Sequence, residues 1–106
     1  MKYKILTVIS IVFCFNLTSA YSAEFTVGQA NKAFSKKTLS IKQGDTVNFK
    51  NNDPFSHNIF SLSEAASFDL GSYPKGKSKS VTFEKKGTVE IECAIHPKMR
   101  MTVEVK

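Results

Sequence analysis

Cys93, His96 and Met99 fall within one short run, Cys93-Ala94-Ile95-His96-Pro97-Lys98-Met99, and His57 is the only other histidine in the chain. One thiolate, two imidazoles and one thioether are the donor set of a trigonal copper site with a long axial sulfur. A thiolate gives covalent density to Cu(II), and imidazoles suit both oxidation states. A soft thioether favours Cu(I) without holding Cu(II) tightly. Zinc sites more often add thiolates or histidines and have little use for methionine. The set therefore points to one copper ion cycling between Cu(I) and Cu(II). Four protein donors leave no open position for a substrate, which argues against an enzyme.

Taken singly, each of these residues has an ordinary role. A lone cysteine at the end of an apolar strand is usually a small buried hydrophobe. A loop histidine such as His57 is usually solvated, and Met99 alone could be packing. Their joint occurrence, with Asn52-Asp53-Pro54-Phe55-Ser56-His57-Asn58 upstream, is a far more specific signal. Met101 is the competing axial donor. It continues an inward series with Val103 and Val105, so Met101 reads as core and Met99 as the methionine at the loop mouth.

The elements that must position these donors begin after a leader. Lys2 and Lys4 precede the apolar run Ile5–Phe15, which is too short to span a bilayer comfortably, and small residues follow. Cleavage after Ala20, or less favourably after Ala23, leaves one domain over residues 24–106 and an exported, periplasmic protein. Cys14 departs with the leader, so Cys93 is the only thiol left. In an oxidising compartment that thiol should be buried or coordinated. Of the six net positive charges, Lys2 and Lys4 carry two. The mildly cationic remainder suits an acidic protein partner or an anionic surface. It suits nucleic acid poorly, because export separates the two and no basic–aromatic stripe is present.

Period-two alternation recurs between turns. Phe25 and Val27, Leu39 and Ile41, Val47 and Phe49, and Val81 and Phe83 each share a face. Asn58–Leu62 reads as a further strand. Val89, Ile91 and Cys93 share parity, so Cys93 enters the interior at the end of its strand. The loop that follows can bring His96 and Met99 back over it. Gln43-Gly44-Asp45, Asn51–Pro54, Tyr73–Gly76 and Lys85–Gly87 supply the turns. Ser63–Asp69 has no clean period, and Ser63 could cap one helical turn there. The whole predicts an all-β Greek-key sandwich with almost no helix.

The run Ile41–Asn51, the element Asp53–Ile59 and the segment Gly87–Val105 resemble the cupredoxins, and within them the small plastocyanin/amicyanin-like members. The resemblance covers essentially the whole domain after the leader. It implies a type 1 copper site with His57, Cys93, His96 and Met99 as ligands; plastocyanin-like loop spacing would select Met101 instead. It implies that Asn58 ties the two ligand loops together and points its backbone N–H at the thiolate. Ala94 stands where the family often has a hydroxyl residue, so Asn58 is expected to find a backbone partner there. Ile95 stands where the family usually has proline, so its free N–H is expected to give the sulfur a second hydrogen bond and raise the potential.

The function so implied is one-electron transfer between redox partners such as a c-type cytochrome or a periplasmic dehydrogenase or reductase. The protein is expected to be a monomer without stable membrane insertion after leader removal. His96 at the loop apex would be the electron port. Pro54, Phe55, Ile95 and Pro97 would form an apolar docking patch. Lys98 and Arg100 would steer an acidic partner, while Lys75, Lys77 and Lys79 are expected to be simply solvated. A copper-binding protein for storage, delivery or tolerance shares the ligands, but the extra His/Met clusters common in such chains are not seen. A hydrolase with a Cys93–His57 or Cys93–His96 dyad leaves Met99 without a role and has no oxyanion machinery to name.

Overall fold

Alternating apolar and polar side chains become nine strands in the computed structural model, which describes residues 22–106. They are β1 (Glu24–Ala30), β2 (Ala33–Phe34), β3 (Thr38–Ile41), β4 (Thr46–Asn51), β5 (His57–Ser63), β6 (Ala66–Tyr73), β7 (Ser78–Thr82), β8 (Gly87–Cys93) and β9 (Arg100–Val105). The leader read at residues 1–20 lies outside the described residues. Two sheets form, one in the order β2-β1-β4-β7 and the other in the order β3-β9-β8-β5-β6. Pairing is antiparallel except for β1 with β4 and β3 with β9. The chain passes repeatedly between the sheets, as a Greek-key sandwich requires. No helix occurs among the described residues.

The inward faces are those the alternation gives. Val47 and Phe49 of β4, Val89, Ile91 and Cys93 of β8, and Met101, Val103 and Val105 of β9 are all buried in one core. Tyr73 ties the two sheets across this core. Its hydroxyl accepts from Gln29 Nε2 of β1 at 2.8 Å and donates to the Phe49 carbonyl of β4 at 3.0 Å. The β3–β4 turn needs a left-handed residue, and Gly44 supplies it at φ +94°. Asp45 then pins the turn, accepting from the amides of Ala23 at 2.8 Å and Lys42 at 2.9 Å.

Two sequence expectations are corrected here. Ser63–Asp69 is not a helical turn. Ser63 pairs with Ala66 in a tight β5–β6 hairpin, and the Ser63 hydroxyl accepts from the Glu90 amide at 2.8 Å. The pattern is weak because β6 is an edge strand whose Phe68 and Leu70 are only partly buried. Lys79 is not merely solvated. Its ammonium donates to the Leu70 carbonyl at 2.6 Å and lies over the Tyr73 ring, joining the β6 and β7 edges of the sandwich.

Candidate metal centre

Strand parity delivers Cys93 to the interior at the end of β8, and it is 1% exposed. Its amide donates to the Met99 carbonyl at 3.3 Å, and the Met99 amide donates to the His96 carbonyl at 2.9 Å. These two bonds fold residues 94–99 back over the sulfur. On the other side, β5 starts at His57 rather than one residue later, and Ile59 pairs with Cys93. The Ala94 amide donates to the Asn58 carbonyl at 2.9 Å and joins the two ligand-bearing segments through backbone.

The result gathers three donors. Cys93 Sγ lies 3.5 Å from His57 Nδ1 and 3.7 Å from His96 Nδ1, and all three atoms lie within 4.8 Å of one another. A point ~2.0 Å from an imidazole nitrogen and ~2.3 Å from a thiolate, in a trigonal arrangement, sees those two atoms ~3.7 Å apart. The donor set and its spacing therefore fit one copper ion. Met99 is 2% exposed, and its backbone sits across from Cys93. Met101 is equally buried but pairs with Ile91, one inward position further from the loop.

The two imidazoles are held differently. His57 is fully buried, and its Nε2 lies 2.7 Å from Asp53 Oδ2. A carboxylate there keeps the ring proton on Nε2 and leaves the Nδ1 lone pair facing the sulfur. Burial alone would push the Asp53 carboxyl up. The hydrogen bond from His57 and those from the Lys32 and Asn31 amides outweigh it, leaving the pKa below the ordinary 3.8. His96 is only partly buried. Its ring packs 5.1 Å from that of His57, and Phe55 sets its own ring 5.4 Å from each.

Asn58 departs in part from what the resemblance implied. Its amide does reach the sulfur, at 3.5 Å. Its side chain does not cross to the ligand loop. Nδ2 donates to Asp69 Oδ1 at 2.8 Å, because residue 58 faces outward beside an irregularity in the β5–β6 ladder. Backbone makes the link between loops instead. The second amide contact expected from Ile95 is also missing. Among the described residues no hydrogen bond joins its N–H to Sγ, and its side chain is 52% exposed on the outer side of the loop. Asp53 is the residue the sequence reading passed over; a carboxylate four residues before a histidine, inside a turn, was the available signal.

The model of copper-binding proteins of the plastocyanin/azurin family matches residues 21–106. A methylamine utilization protein, MauL, of Methylorubrum extorquens is 30% identical over 105 residues, covering 94% of this chain and 92% of that protein. The chloroplastic plastocyanin of Silene latifolia subsp. alba is 36% identical over 91 residues, covering 74% of this chain and 55% of that one. Among solved structures, a reduced amicyanin variant superposes with a TM-score of 0.71 at 30% identity, covering 76% of this chain and 80% of that one.

Proposed function

The chain belongs to the plastocyanin/azurin family of copper-binding proteins, and on that premise we propose that it is an exported carrier shuttling single electrons between redox proteins. His57, Cys93, His96 and Met99 are the proposed ligands. The copper ion supplies the one-electron Cu(I)/Cu(II) couple, and everything else is the work of the polypeptide. The family is one of electron carriers rather than enzymes, and the closed donor set accords with that.

One observation carries the reading: of the three donors within 4.8 Å, only His96 is not buried. It opens on a groove of about 460 Å³ lined by Lys32, Ile95, His96, Pro97, Lys98 and Met99. Phe55, at 37% exposure, and Ile95 make the surrounding surface apolar. A partner that docks there comes within contact of a ligand edge, while Lys32, Lys98 and Arg100 favour an acidic rim on that partner. His57 on β5 and Cys93 at the end of β8 are buried in the sandwich and have little room to rearrange. The proposed partners are redox proteins such as a c-type cytochrome or a periplasmic dehydrogenase or reductase, a reading in keeping with a relative named for methylamine utilization and with an amicyanin neighbour.

The test is electron self-exchange on copper-loaded protein, alongside a chelator challenge. A carrier exchanges electrons rapidly between its oxidised and reduced forms and keeps its copper. Ready loss of copper to the chelator with slow self-exchange would contradict this reading and favour storage or delivery.

A further inference from the structure

The turn between β1 and β2 is two residues long, since Ala30 pairs with Ala33, and both of its residues are left-handed: Asn31 at φ 55° and Lys32 at φ 58°. A type I′ turn demands this, and Asn suits its first position. Lysine is a poor choice for the second, where glycine would be free of strain. What accompanies the strain is a pair of convergent amides. Asn31 N donates to Asp53 Oδ1 at 2.6 Å and Lys32 N to Asp53 Oδ2 at 3.0 Å. Successive turn amides of this kind form a concavity for an anion. Asp53 is otherwise tied down by its own amide, which donates to Asn51 Oδ1 at 2.8 Å. Its remaining contact is His57 Nε2.

We infer that Asp53, cradled by the Asn31–Lys32 turn, is a positioning residue for the copper site that fixes His57 and biases the metal toward its oxidised state. The inference rests on His57 being a ligand. A buried carboxylate, 4% exposed, needs compensating positive charge. Cu(II), one thiolate and one carboxylate sum to zero, whereas the Cu(I) site carries one net negative charge. The carboxylate therefore opposes reduction. Its fixed hydrogen bond also keeps the buried imidazole from turning when the ion's charge changes.

The experiment compares copper-loaded wild type, Asp53→Asn and Asp53→Glu by visible spectrum and by midpoint potential. Asparagine removes the charge and sets an NH₂ group against a turn amide. It should weaken Cu(II) relative to Cu(I) about tenfold, a rise of about 59 mV for one electron. Glutamate should bring most of that back. A normal copper band in both variants with an unchanged potential would overturn the inference and leave the ligand reading standing. A wild type with no thiolate-to-copper band would remove the ligand reading and this inference together. A measurement on wild type alone covers the case in which the asparagine variant does not fold. Nitrogen-15 spectra of metal-free protein should show the His57 ring proton on Nε2 and slow to exchange. A ring proton on Nδ1, or one that exchanges as fast as solvent-exposed imidazole, would overturn the inference.

Discussion

His57 and His96 carry the same donor atom but differ in what stands behind it, and that difference was only half legible in the sequence. The identities and spacing of His57, Cys93, His96 and Met99 were readable because donor chemistry belongs to side-chain type. Asp53 was not, because its role depends on how the backbone after Asn51 bends toward a distant hairpin. The exposure difference gives a direct prediction. In His96→Gly, added imidazole should restore the visible band, since the ring faces an open groove; in His57→Gly it should restore little. Equal rescue in both would contradict the burial described here. Tyr73 provides a second case. Burial raises its phenol to about 12, against which the Gln29 hydrogen bond acts only in part. The unfolded phenol ionises near 10, so stability is fully present below that pH and declines as pH rises from about 10 to 12. Tyr73→Phe should flatten this alkaline decline. At neutral pH it should lower stability by about 1–3 kcal/mol, because Gln29 and the Phe49 carbonyl lose a buried partner. Chemical denaturation across pH checks both effects.

At the level of elements, β8 and the loop after it position the site. Local alternation exposed this: Val89, Ile91 and Cys93 share a face whatever the rest of the chain does. Edge strand β6 was missed because its burial is partial and depends on β5 beside it. Gly87 starts β8 at φ +141°, and a Cβ there would lie 2.9 Å from Ala65 of the β5–β6 turn. Gly87→Ala should therefore destabilise the fold by about 1–3 kcal/mol, measured by denaturant midpoint, and leave the copper spectrum unchanged at the strand's other end. The β3–β4 turn should contribute to acid sensitivity, together with Asp53 and Asp69, whose carboxyls are also held below 3.8 by hydrogen bonds. The Ala23 amide, then that of Lys42, holds the Asp45 carboxyl below its ordinary 3.8. The unfolded chain takes up that proton first, so this stabilisation exists above about 3.8 and is lost as pH falls through the lower folded value. Asp45→Asn should weaken the protein at neutral pH and show a shallower acid decline. An acid limb as steep as that of wild type would contradict the assignment.

On the scale of the whole molecule, the site and the basic rim around His96 share one end of the sandwich. Lys86 precedes β8, about 20 Å along that strand from Cys93, roughly two Debye lengths at physiological salt. Lys98→Glu should slow electron transfer to an acidic partner by roughly twofold to fivefold at physiological salt, the scale of one exposed charge. Lys86→Glu should change it little, and added salt should erase the difference. All of this presupposes that the fold gathers sulfur, two imidazoles and Met99 about one ion. The most direct check is the visible spectrum of copper-loaded protein, repeated for Met99→Gln and Met101→Leu, with alkylation of Cys93 followed in parallel. The account predicts an intense thiolate-to-copper band, a protected thiol, and a band shifted by Met99→Gln but not by Met101→Leu. A colourless protein with a freely alkylated Cys93 would contradict it.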